Sequence, residues 1–198
     1  MAWDQLSSDA DAQNAKSRDK LIGVFIGLLA VILAICSMGA GNSAQEATLK
    51  NIEASNTWAF FQAKNMRRHT LRLQADNLAV TLASNPAMTD DAKKLIKEKI
   101  EAYREQDKRL TSDPEKKEGL DELFVKAQGL EKSRDEALKR GPYFDYGQAL
   151  LQIGIVLASI AIISGGNALL IGSFIVGVLG VITTFGGYTL AFPLPFAG

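Results

Sequence analysis

From Leu21 to Gly41 the chain is largely apolar and uncharged, LIGVFIGLLAVILAICSMGAG, and a second such stretch runs from Gly147 to Tyr188. About 20 residues of helix cross the roughly 30 Å hydrocarbon core of a bilayer. The first stretch therefore fits one span, residues 21–41. The second is too long for one helix and contains a natural turn at Gly165-Gly166-Asn167. It predicts spans over 147–164 and 168–188, with residues 165–167 as the turn. Residues 189–198 contain Pro193 and Pro195 and form a tail that does not continue the helix. Small residues at 39–44 resemble a signal-peptide cleavage region, but the run is long for a signal sequence, and an uncleaved signal anchor is expected.

Between the spans the pattern changes. Residues 42–146 are rich in Ala, Leu, Lys and Glu, with little strand-like alternation, which predicts helix. Punctuation at Ser84-Asn85-Pro86, Ser112-Asp113-Pro114 and Gly141-Pro142 divides it into helices over 42–84, 89–111 and 114–140. Asp113-Pro114 reads as an N-cap with proline at the first helical position, and Gly141-Pro142 as a stop. No breaker precedes residue 42, so the first of these helices is expected to continue the first span. At 1.5 Å per residue it climbs about 64 Å, and the later two return about 34 and 40 Å. The expected fold is all-α: three transmembrane helices plus an extramembrane antiparallel helical hairpin, coiled-coil-like, with a broken returning arm. Its seam should use Ile96, Ile100, Tyr103 and Leu110, then Leu120, Leu123, Phe124, Ala127 and Leu130. On the outward arm, Ile52, Ala59, Ala63 and Met66 are expected to face them. Counting from a turn at Pro86, Trp58 should lie opposite the break at 112–114.

Charge sharpens the division. The 22 Lys and Arg balance the 22 Asp and Glu, yet none of them falls within 21–45 or 146–198. Residues 1–20 form a short polar segment. Lys16, Arg18 and Lys20 precede the first span and only Lys50 closely follows it, which favours a cytoplasmic N-terminus and a periplasmic 42–146 in a bacterial inner membrane. Lys132, Arg134, Lys139 and Arg140 before the second span pull the other way. The first helix usually dominates, and long domains translocate largely regardless of charge.

The spans carry stripes of small residues. Gly23 and Gly27 lead one, Ala158 belongs to the second, and Gly177 and Gly180 to the third. Small side chains let helices in lipid approach closely. No span holds an ionisable side chain, the usual mark of an ion path. Gln148 and Gln152, one turn apart, suit interhelical hydrogen bonds better than a pore lining.

Chemistry is sparse. The single cysteine, Cys36, lies in an apolar run, and the single histidine is His69. Neither a disulfide within the chain nor a zinc site of these residues is possible. No phosphate-binding loop, nucleophile elbow or metalloprotease pattern occurs. No catalytic residue, cofactor, metal or nucleic-acid partner is expected, and His69 reads as a solvated helix residue.

The most distinctive stretch is EASNTWAFFQAKNMRR, residues 53–68. It resembles a family of bacterial inner-membrane proteins classified only as a domain of unknown function. Members share an N-terminal membrane helix, an EASN-x-WA-aromatic-aromatic-QAK-x-x-R segment, a charged helical middle and two C-terminal membrane helices. Relatives often have Tyr where Phe61 stands, and basic residues where this chain has Gly165-Gly166-Asn167. The resemblance implies the architecture and brings no activity. Glu53, Asn56, Trp58, Phe60, Phe61, Gln62, Lys64 and Arg67 are the candidate interaction residues, because aromatics and arginine anchor many interfaces. Internal packing of the hairpin is their ordinary alternative. The expected function is a membrane scaffold that self-associates or serves as an accessory subunit of a larger membrane complex. The alternative is a transport component or pore built by oligomerisation of the small-residue helices.

Overall fold

A computed structural model describes residues 2–194; Met1 and the last four residues of the tail lie outside the described part. Four helices occur there, α1 Ala2–Ser84, α2 Asp90–Thr111, α3 Leu120–Ser164 and α4 Asn167–Thr189, with no strand among the described residues. Of these, α1, α3 and α4 are long and apolar enough to cross a membrane. Residues 2–20 are helical and belong to α1, and α1 continues unbroken past residue 41. The chain divides into two units, one of residues up to Ala47 and from Glu136 onward, the other Thr48–Asp135.

The membrane-type unit is built on close helix contacts. Leu29, Cys36, Phe144 and Leu151 form its core, with Phe25, Ile32 and Ile155 packed against them. Glycines make the approach possible. A Cβ on Gly180 would lie 2.8 Å from the Leu151 side chain and 3.1 Å from its backbone nitrogen, and one on Gly187 would lie 2.8 Å from the Phe144 ring. Buried hydroxyls are satisfied along the helices: Ser173 Oγ donates to the Gly154 carbonyl at 2.6 Å and Thr184 Oγ1 to that of Gly180 at 2.7 Å. The α3–α4 turn uses Gly165 at φ 68°, a left-handed conformation that suits glycine. Arg18 Nη1 donates to the Gly165 carbonyl at 3.0 Å, placing a cation at the negative end of α3.

Two expected boundaries are corrected. No helix starts at Pro114: residues 114–117 make a single turn, in which Asp113 accepts from the Lys116 and Lys117 amides, and Lys117 then takes φ 54°. α3 starts instead at Leu120. Nor does the helix stop at Gly141-Pro142, because Pro142 lies inside α3. An interior proline costs about 3 kcal/mol in a water-exposed helix. Here the following two residues, Tyr143 and Phe144, are buried, and the Phe144 carbonyl accepts from Cys36 Sγ at 3.3 Å. Packing on Gly39 and Gly187 keeps the chain helical through the proline, as neighbouring helices commonly allow in membrane proteins.

In the charged unit, Asn85–Met88 forms the turn between α1 and α2, closed by the Met88 amide donating to the Asn85 carbonyl. Thr89 caps α2 by accepting from the Ala92 amide. The inward positions of α1 here are Ala54, Thr57, Leu71 and Ala75, with Phe61, Lys64 and Arg68 half-buried between them. That corrects the expected seam: Ile52, Ala59, Ala63 and Met66 are all exposed. On the other helices, Ile100 of α2 and Leu120, Leu123 and Ala127 of α3 are buried, so the seam expected there is largely the one used.

Candidate interaction surface

Trp58 organises the EASN segment. Its ring meets Phe61 and Phe124 edge-on, each at 5.5 Å between centroids, and Phe61 and Phe124 lie 6.3 Å apart. Each such pair adds about 0.5–1.5 kcal/mol beyond the area it buries. The indole Nε1 donates to Glu131 Oε1 at 2.9 Å, so the polar edge of the half-buried ring is satisfied. Periodicity places Trp58 and Phe61 three apart on one helix face, and Phe124 reaches them from the first turns of α3.

The partner of Trp58 is therefore α3 at 124–131, not the break at 112–114. The reason is the loop. Residues 112–119 fold on themselves, so the returning chain uses eight residues without matching advance along α1. Glu122 fastens the fold, accepting from Ser112 Oγ at 2.7 Å and from the Asp113 amide at 3.3 Å. These bonds, chiefly that from Ser112, together with Lys64 hold the Glu122 carboxyl below its ordinary pKa. A Cβ on Gly119 would lie 2.5 Å from the Asp113 nitrogen, so this position requires glycine.

Lys64 sits between this loop and the motif. Its ammonium donates to the Glu118 carbonyl, lies 3.8 Å from the Glu118 carboxylate, and stands 4.9 Å from the centre of the Phe60 ring. Arg72 pairs with Asp107 through two hydrogen bonds of 2.8 and 3.0 Å, and Arg134 donates to Asn51 at 3.3 Å. The ion pairs from this part of α1 to the returning chain are thus made by Lys64 and Arg72, while Arg68 bonds Asn65 at 2.9 Å. Beside the triad lies a cleft of about 420 Å³, lined by Phe61, Arg68, Leu120, Asp121, Phe124 and Val125. The buried Nε of Arg68 has no hydrogen-bond partner.

A family model described as a domain of unknown function (DUF4337) matches residues 18–190. The chain belongs to this family. No curated protein and no solved structure matches it.

In this DUF4337 chain the candidate residues divide between two roles. Trp58, Phe61 and Lys64 hold α1 to the elements opposite, whereas Asn56, Phe60, Gln62 and Arg67 are exposed. Glu53 is exposed too and pairs with Lys50 on its own helix at 3.0 Å. His69 is exposed. Among the described residues, no group of three or more His, Cys, Asp or Glu could hold a metal ion. Of the helix-packing candidates, Ala158, Gly177 and Gly180 are buried. Gly23 and Gly27 stand in open space, with nothing within 4 Å of where a Cβ would lie. Phe124 could have been paired with Trp58 from its place in the α3 seam. Nothing in the sequence marks Glu131 as the indole's acceptor.

Proposed function

We propose that this protein is a multi-pass scaffold of the bacterial inner membrane, in which an extramembrane, coiled-coil-like helical hairpin with a broken returning arm makes contacts for the chain. It self-associates or serves as an accessory subunit of a larger membrane complex, and it is not an enzyme. The N-terminus is cytoplasmic and residues 42–146 are periplasmic. One observation carries the reading. Successive positions on α1, Asn51, Trp58, Lys64 and Arg72, meet Arg134, Glu131, Glu118 and Asp107, in reverse chain order. Such antiparallel contacts support a hairpin, and the helix that forms its outward arm also holds the first apolar span. The exposed part of the motif and the cleft beside Phe124 would then serve partners. An aromatic floor with a cation and an anion at its rim suits a protein side chain.

Crosslinking the full-length chain in native membranes, followed by mass spectrometry, tests this. A reproducible stoichiometric partner, or a defined assembly of this chain alone, is the expected result. A closed ring of copies that conducts ions in liposomes would replace the scaffold with the transport reading.

A further inference from the structure

Beyond the hairpin seam, α1 carries a second heptad pattern on its opposite side. Leu49, Asn56, Ala63, Thr70 and Asn77 recur every seven residues, and Ile52, Ala59, Met66, Leu73 and Val80 recur three residues after each of them. All ten are exposed, and none is charged. Met66 and Leu73 are 69% and 64% exposed, although this stretch lies beyond the apolar span and within the charged unit. The inward positions Ala54, Thr57, Leu71 and Ala75 lie on the other side of the helix, so the hairpin contacts leave this stripe uncovered.

We propose that the α1 face from Leu49 to Val80 is the seam of a parallel, in-register, two-stranded coiled coil between two copies of this chain. The inference rests on the membrane-scaffold reading above, because a shared anchor is what sets two stripes level and pointing the same way.

Four features select a second copy as the occupant. The stripe covers more than four heptads, the extent a coiled-coil seam needs. It is alternately offset by three and four residues, so it matches itself when two helices run parallel. Asn56 and Asn77 occupy first positions of their heptads, where an amide is satisfied by the same amide of the other strand and fixes register at some cost in stability. The flanking positions bring no like charges together in this register. Thr48 would face Glu53, Gln62 would face Arg67, and Asp76 would face Thr81 of the other copy. A strongly acidic or basic partner would find no complementary charge on the stripe. Ala59 and Ala63 make the seam thin, and confinement of both copies to one membrane raises their effective concentration.

Disulfide mapping in native membranes tests the register. The full-length chain carries Cys36→Ser, which retains a donor at the buried position, and one new cysteine at a time. Same-numbered crosslinks are expected from Ile52→Cys, Ala59→Cys, Met66→Cys and Leu73→Cys, and at least tenfold less from Gln128→Cys, an exposed position on α3 outside the cleft. Adding Met66→Glu to the Ala59→Cys chain should abolish its crosslink while helix content and membrane insertion persist. Efficient crosslinking at only one mid-stripe position would indicate antiparallel strands and overturn the proposal. So would equal crosslinking at Gln128. A chain that crosslinks nowhere along the stripe yet still purifies in a defined complex would overturn the seam and leave the scaffold standing. A chain that is monomeric, with no partner in its membranes, would remove both.

Discussion

At the scale of single residues, glycines separate two kinds of surface that look alike in sequence. Gly23, Gly27, Gly177 and Gly180 all belong to small-residue stripes, yet only the last two meet neighbours. Gly180→Ala sets a methyl against the Leu151 backbone, which cannot move as a side-chain tip can. The expected loss is about 1–3 kcal/mol, typical of overpacking. Gly23→Ala, with open space around it, should change stability by less than about 0.5 kcal/mol. Thermal unfolding of the two variants in one detergent compares them; equal melting points would remove the close α3–α4 contact from the account. Glu122 supplies a pH-dependent counterpart. Its carboxyl is held below the ordinary value, so its contribution is complete above the unfolded pKa of about 4.3 and is lost as pH falls through the lower folded value. Hydrogen exchange, corrected for intrinsic rate, should show Asp113 amide protection declining only as pH falls below about 4.3. Glu122→Gln should flatten that profile, and a profile unchanged by the substitution would contradict the assignment.

At the scale of elements, three helices long and apolar enough to cross a membrane were legible because length and lack of charge suffice to define them. The boundaries at 114 and 142 were not. Asp113-Pro114 has the chemistry of a helix start, but Lys117 turns left-handed and Gly119 lets the chain pack against Ser112 before α3 begins. Gly141-Pro142 has the chemistry of a stop, which burial of Tyr143 and Phe144 overrides. The α1 seam failed for a different reason. Two heptad-spaced lines exist on that helix, and the inward one carries Thr57, Lys64 and Arg68, so apolar periodicity pointed to the other. The Trp58 cluster decides it, and its strength is measurable. Trp58→Ala should cost the charged unit about 2 kcal/mol, less than the roughly 3–5 of a fully buried ring because this one is half-exposed. Trp58→Phe keeps ring contacts and loses the bond to Glu131, so about 1 kcal/mol is expected. If both variants melt with the natural chain, the cluster is not a clamp between α1 and α3.

At the scale of the whole molecule, segregation of charge says most about the protein. Two stretches without a charged residue, 21–45 and 146–198, hold the apolar windows of α1, α3 and α4. The Arg18 side chain at the α3–α4 turn adds a detail that the sequence concealed. That turn carries no basic residue of its own, and α1 contributes one from 147 positions away. Partner identity was never legible, because exposed Asn56, Phe60, Gln62 and Arg67 define a surface and not the molecule that covers it. The proposed topology has three membrane spans, with residues 42–146 periplasmic and the N-terminus and residues 165–167 cytoplasmic. Labelling of single cysteines by an impermeant maleimide in intact spheroplasts tests it, using Ser17→Cys, Glu101→Cys and Asn167→Cys in a Cys36→Ser chain. The account predicts that Glu101→Cys reacts at once and the other two react only after lysis. Protection of Glu101→Cys, or its reaction alongside Asn167→Cys, would contradict it.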